Sequence, residues 1–421
     1  MSRWLSGAVV GPLVSVSLSV STFGASSPPN DGTAESMASE TGPDAGPLGE
    51  PTAIAVDGLL ESVSPDGRHV AGIGPDRTPC IWEMGSLSAT CAVQRIGTVS
   101  PPSRPAMVWS PNSQRVAFTP DVFVQLRDGD VLVMDLDGTL VNLTDDGYEG
   151  GLIGADAPEA LAVDTLPTWS PDGTRLAFVR DDTSGVVPTV MVIDAAGGEP
   201  VALAASPVET RFAIWPSMSW AAEDTILFTT NPADRDDPGH GVWHLDPSTG
   251  EVTEVVAAPD VSFELTGVDP DGTTALVVDP LLLSQYDFAV GDPRSAAAVT
   301  TLDLVTGSSA ARPWFDPVSG ALVPAPAPED AGAAIADGLV PPTGPQAYSP
   351  DGSMWVGRHH SPQAGGQYLV VGDVATGEFV GAIDLSDVEL VIGPSVPQWV
   401  DGGIFAKSGA GTAIWVPVGA G

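Results

Sequence analysis

Lysine is almost missing from this chain. Lys407 is the only one, and all basic side chains together number 15 against 54 acidic ones, a formal net charge of −39. So little positive charge cannot neutralise a phosphate backbone, which argues against nucleic acid as a partner. The same charge is repelled by anionic membrane surfaces. Basic partners, divalent cations or a salty medium suit it, and solubility alone is the plainest reading. Cysteine is nearly as scarce, with Cys80 and Cys91 the only two. There is no Gly-x-Ser-x-Gly elbow, no phosphate loop and no dinucleotide fingerprint, so the familiar nucleophile and nucleotide motifs are lacking. Beyond the N-terminus no apolar run reaches the roughly 18–20 residues that a membrane helix needs.

What the chain has in abundance is turn chemistry, with Gly 48 and Pro 41. The stretch Trp169-Ser170-Pro171-Asp172-Gly173-Thr174-Arg175-Leu176-Ala177-Phe178 is the clearest case. Pro presets φ at the second turn position, and Asp and Gly suit the third and fourth. The strand that follows is apolar on both faces and must be covered on both sides. Worn copies recur at Val63, Trp109, Trp220, Val268, Tyr348 and Trp399, each the residue just before a turn; with Trp169 these make seven anchors. Most are spaced close to the roughly 40–50 residues of a four-stranded unit that buries its faces only by stacking on its neighbours.

The pattern resembles the TolB-type, WD40-like (PD40) β-propeller repeat over about residues 51–418. That resemblance implies an all-β, seven-bladed β-propeller of four-stranded antiparallel blades. The family includes envelope proteins and propeller domains fused to serine peptidases, but no α/β segment precedes the repeats here as it does in TolB itself. After Trp399 only two strands remain, so the outer strand of the last blade is expected from Thr52-Ala53-Ile54-Ala55-Val56. Closure of this kind removes a free sheet edge.

Residues 1–25 read as a secretory signal, with Arg3, an apolar run from Trp4 to about Val20, and small residues before Ala25. Residues 26–50 read as a disordered linker, and 51–421 as one propeller domain. The expected location is secreted or envelope-associated, and the expected state a monomer. Cys80 and Cys91 flank Gly85-Ser86-Leu87-Ser88 on consecutive strands. A disulfide is expected in an exported chain; two buried free thiols are the alternative.

In such a blade the loops joining strands one–two and three–four share one face, and the remaining connections share the other. The first set is tight, as at Asp137-Gly138, Gly197-Gly198 and Thr376-Gly377. The second set is long: 120–130, 145–166, 180–188, 231–241, 280–295, 312–345 and 359–366. Long loops on a rigid scaffold are where function concentrates. Candidate binding residues on that face are Tyr286, Phe288, Trp314 and Phe315 for an aromatic patch, and Asp234, Asp236, Asp237 and Asp287 for its rim. For Trp314 and Phe315 the plainer reading is as core residues closing the fifth blade, and the exposed anchor is the alternative.

His359 and His360 are the candidates for ionisable chemistry, although adjacent residues in a strand point opposite ways. His240 and His244 lie too far apart along a strand for one metal, and no zinc site is expected. Asp234-Arg235-Asp236-Asp237-Pro238-Gly239 loosely resembles a calcium loop but lacks the full ligand series. No cofactor is otherwise expected. The functional expectation is a scaffold that binds a protein, peptide or glycan partner on the long-loop face. The rival is a propeller hydrolase or lyase with carboxylates and histidines at the central channel. An exported chain with no specific ligand is a third reading.

Overall fold

The computed structural model describes residues 48–94, 107–120, 129–147, 162–182, 188–207, 217–230, 240–257, 263–279, 299–327, 329–361, 366–385, 396–407 and 411–419. The chain divides into Met1–Gly42 and Pro43–Gly421, and the first of these, with the expected signal and nearly all of the linker, lies outside the described residues.

A first strand, β1 (Thr52–Ala55), precedes the first complete blade. Blade 1 is β2 (Leu59–Val63), β3 (His69–Ile73), β4 (Pro79–Glu83) and β5 (Ala89–Cys91). Blade 2 is β6 (Met107–Trp109), β7 (Arg115–Phe118), β8 (Leu132–Asp135) and β9 (Leu140–Asn142). Blade 3 is β10 (Ala162–Trp169), β11 (Arg175–Asp182), β12 (Thr189–Asp194) and β13 (Val201–Ala205). Blade 4 is β14 (Met218–Ala222), β15 (Thr225–Thr230), β16 (Gly241–Leu245) and β17 (Val252–Ala257). Blade 5 is β18 (Glu264–Val268), β19 (Thr274–Val278), β20 (Val299–Asp303) and β21 (Ser309–Ala311).

An insertion follows, made of the hairpin β22 (Trp314–Asp316) and β23 (Ala321–Val323) and the helix α1 (Ala331–Ala336). Blade 6 is β24 (Pro342–Tyr348), β25 (Met354–Ser361), β26 (Gly366–Asp373) and β27 (Phe379–Asp384). Blade 7 is β28 (Gln398–Val400), β29 (Gly403–Lys407) and β30 (Thr412–Pro417), with β1 as its outer strand. The expected closure is therefore present: Thr52 lies opposite Trp415 and Ile54 opposite Ala413. The first strands of successive blades are neighbours all the way round, and β28 returns to β2. The result is a seven-bladed β-propeller.

The repeat holds the ring together through two sets of contacts. In the turns that keep it, the serine is the hub. Ser170 Oγ donates to Asp172 Oδ1 at 2.6 Å and accepts from Arg175 N at 2.9 Å, and Ser349 does the same with Asp351 and Met354. Between blades the ring before the turn does the work. Trp109 Nε1 donates to Ser62 O of blade 1, and Trp169 Nε1 to Val108 O of blade 2. In blades 1, 2 and 3 the residue five places after the turn serine then lies by the ring of the next blade. Arg115 lies over Trp169 at 5.4 Å and Arg175 over Trp220 at 4.8 Å, while His69 stands 6.2 Å from Trp109 in the same position. Such cation–ring contacts add attraction to an interface already apolar. At the ring's seam Gly67 has φ +68°, and a Cβ there would lie 2.6 Å from Asp401 O of blade 7. A side chain at this turn would part the first and last blades.

The turn aspartates make stability sensitive to acid. The Ser170 hydroxyl, with the backbone and side chain of Thr174, holds the Asp172 carboxyl down at about 2. Asp351 is lowered in the same way by Ser349 and Ser353. A carboxyl depressed in the folded state stabilises above its unfolded pKa, and that contribution disappears as pH falls through the folded one. Thermal melts should therefore drop between pH 4 and pH 2, and the drop should be shallower in Asp172→Asn. An identical acid limb in the variant would show that this turn does not contribute.

Cys80 and Cys91 lie directly opposite each other on β4 and β5, Cα–Cα 4.0 Å, and form a disulfide at the outer edge of blade 1. Two expectations about the connections need correction. Residues 162–166, 180–182 and 359–361, expected as loop, are strand, because blades 3 and 6 continue their pairing past the apolar core. The stretch 312–345 was read as a loop, yet most of it is folded. Phe315 pairs with Val340, and Trp314, Ala331 and Ile335 form a small core of their own.

Candidate functional site

The first strands of blades 1, 2, 5, 6 and 7 border an open cavity of about 360 Å³ at the centre of the ring. Its walls come from Val63, Met107, Trp109, Leu265, Gln398 and Trp399 among others, and no described lining residue is ionisable. Gln398 is a polar lining side chain with fixed partners in two blades. Its Oε1 accepts from Val63 N at 2.9 Å, and its Nε2 donates to Glu61 O at 3.4 Å. Gln398 thus ties blade 7 to blade 1.

Two of the buried acids near the long-loop face are paired inside the protein. Asp164 on β10 is 1% exposed and takes a bidentate grip from Arg180 on β11, Nε at 2.7 Å and Nη2 at 2.6 Å. Glu61 on β2 is 3% exposed and pairs with Lys407 Nζ at 2.9 Å. The chain's only lysine is therefore spent across the seam between the last and first blades. Beside the first pair, burial raises the carboxyl of Asp130, and the charges of Asp146, Asp164 and Asp145 push it the same way, against the Asn142 amide that donates to it at 2.7 Å.

His359 and His360 lie on β25 and point to opposite faces of the sheet, so the structure does not bring them together. His359 is 1% exposed and its Nδ1 is 3.1 Å from Val340 O. The ring sits between Phe315 and Trp355 in the interface of blades 5 and 6, where burial lowers it to about 4. His360 is half-buried with its Nδ1 3.2 Å from Gly366 O, and burial lowers it as well. Neither lines the channel.

Trp314 and Phe315 are 0% and 4% exposed. Trp314 packs on α1, and Phe315 stacks on Phe379 at 5.4 Å and meets Tyr368 edge-on at 5.2 Å. Of their two readings, the structure gives the core one, and they form no exposed patch. Asp234, Asp236, Asp237, Tyr286, Asp287 and Phe288 lie outside the described residues. Among the described residues no three His, Cys, Asp or Glu side chains are grouped to hold a metal.

Sequence reasoning missed Asp164, Glu61 and Gln346, and saw Arg180 and Arg312 only as loop boundaries. A basic residue in a chain so poor in them was the available signal.

Fold, turn chemistry and closure together define a β-propeller repeat protein. Residues 87–207 match the family described as the dipeptidyl peptidase IV (DPP IV) N-terminal region, which is less than a third of the chain. Among solved structures, an oligogalacturonate lyase in complex with manganese matches with a TM-score of 0.51 and 13% identity, over 88% of this chain and 91% of that one. The β-propeller domain of Myceliophteria thermophila Cps50 (Swd1) matches with a TM-score of 0.49 and 12% identity, over 88% of this chain and all of that one. Identities this low carry the fold and nothing of the chemistry. No curated protein matches the chain.

Proposed function

We propose that this chain is an exported, TolB-like propeller scaffold. It binds a protein, peptide or glycan partner on the face that carries its long connections, at the mouth of the central channel. The observation that carries this reading is the division of charge. The described lining of this cavity is uncharged, while two of the acids buried beside the long-loop face, Asp164 and Glu61, are already held by Arg180 and Lys407. A catalytic pocket needs ionisable groups converging on one substrate atom. The rival hydrolase or lyase reading finds no carboxylate or histidine in the described lining. The disulfide accords with an oxidising compartment, and the acidic surface favours a basic partner.

The test is capture of partners from native envelope and culture fluid by the wild-type chain and by a Tyr286→Ala/Asp287→Ala/Phe288→Ala variant. Val305→Lys, on the opposite face at 81% exposure, is the control. Loss of a partner in the triple variant alone supports the reading. Equal capture by all three chains overturns these residues as the anchor. Turnover of a glycan or peptide library that disappears on changing a channel-mouth carboxylate overturns the scaffold itself.

A further inference from the structure

The interface between blades 5 and 6, beneath the hairpin–helix insertion, gathers buried polar atoms that make no hydrogen bond. They are Arg312 Nε and Nη2, Gln346 Oε1 and Nε2, and His359 Nε2. Gln346 and His359 are 0% and 1% exposed. The three residues are arranged around Trp355 and one face of the β24–β25 pair. Gln346 lies opposite Gly357 and Tyr348 opposite Trp355, so residues 355, 357 and 359 share one face with them. The missing side chain at Gly357 makes room for Gln346, since a Cβ there would lie 2.7 Å from its Nε2. The Trp355 ring has its centroid 6.3 Å from that of His359 and 4.1 Å from the Arg312 guanidinium.

Arg312 is the anomaly. Its Nη1 donates to Thr301 Oγ1 at 3.0 Å, and no carboxylate pairs with it among the described residues. Burial pulls it down to about 10. Arg312 as a whole is partly exposed, but its Nε and Nη2 are buried; a charge taken out of water without a partner is unfavourable, and here it occurs in a chain with 54 carboxylates. Arg180 shows what the same edge of a guanidinium does elsewhere in this fold: its Nε and Nη2 grip both oxygens of Asp164. The planar Nε–Nη2 fork matches a carboxylate in both spacing and charge.

We propose that the Arg312 fork, with the Gln346 amide beside it, is a binding site for a small free carboxylate enclosed between blades 5 and 6. The insertion closes over it: Phe315 stands edge-on to His359, and the Val340 carbonyl accepts the His359 Nδ1 hydrogen. Entry requires that segment to lift, so the ligand is a small molecule and not the side chain or terminus of a docked protein. This site is independent of the partner surface proposed above.

The test is equilibrium dialysis of the full chain against labelled acetate at constant ionic strength. Saturable binding of about one acetate per chain is expected. Arg312→Lys keeps the charge and loses the fork, and should weaken binding on the order of tenfold or more. Arg312→Met should abolish it. Gln346→Leu guards against a fold defect at position 312 and should also weaken binding, with folding of every variant checked by its melt. No saturable binding, equal binding by Arg312→Lys, or displacement by equimolar chloride would overturn the proposal. So would equal affinity for a trialanine peptide, which would move the source of the carboxylate to a partner's terminus.

Discussion

A chain that begins at residue 57 should lose cooperative folding and self-associate. The truncation removes β1, the outer strand of blade 7, and so exposes the edge of β30 along its whole length. It also removes Ile54, which is 5% exposed and packs with Leu60, Trp82, Phe405 and Ala413 in the core shared by blades 7 and 1. Loss of one buried isoleucine side chain alone costs about 2–5 kcal/mol. A bare strand edge is a template for pairing with another chain. Light scattering coupled to size exclusion should show dimers or larger species, and the thermal transition should broaden and fall. A peptide spanning residues 48–56, added in trans, should restore part of the transition by adding back the strand. A truncated chain that stays monomeric and melts like the full one would show that the closure strand is dispensable.

That strand was legible before any coordinates because its logic is arithmetic. Seven turn anchors with only two strands after the last leave one strand to be found, and an alternating β-branched stretch stands ready at Thr52–Ala55. The turns were legible because Ser-Pro-Asp-Gly acts locally: the Ser170–Asp172 and Ser349–Asp351 hydrogen bonds span two residues each. The Cys80–Cys91 pairing followed from hairpin symmetry. The insertion was not legible, because its Ala- and Pro-rich composition hides a core of Trp314, Ala331 and Ile335 that exists only when the hairpin meets the helix. Strand lengths in blades 3 and 6 were underestimated for the same reason: pairing across Asp164–Arg180 and His359–Tyr368 is decided by the neighbouring strand. The uncharged channel and the buried charges near it come from different blades, and no local pattern marks them.

Arg180→Met should be the most damaging single change near the long-loop face. Asp164 lies directly across the strand pair from Arg180 and is buried, so removal of the guanidinium leaves a buried carboxylate without its counter-charge. Breaking a buried pair in this way costs about 3–5 kcal/mol. The double variant Asp164→Leu/Arg180→Met should recover most of that loss, because it removes the stranded charge along with its partner. The neighbouring acids add a pH dependence whose sign is fixed by Asp130. Its carboxyl is raised in the folded chain, by burial first and then by Asp146, Asp164 and Asp145. The folded state therefore binds its proton more readily than the unfolded state does, and stability attached to this group grows as pH falls and is lost as pH rises through the raised value. Arg180, itself raised chiefly by its hydrogen bonds to Asp164, also feels Asp146 and Asp130. It thus holds this cluster together at neutral pH. Thermal melts of Arg180→Met should fall furthest below wild type at pH 7, and the gap should narrow at pH 5. A gap that is equal at both values, or a double variant no more stable than the single one, would show that the pair acts through packing and not through charge.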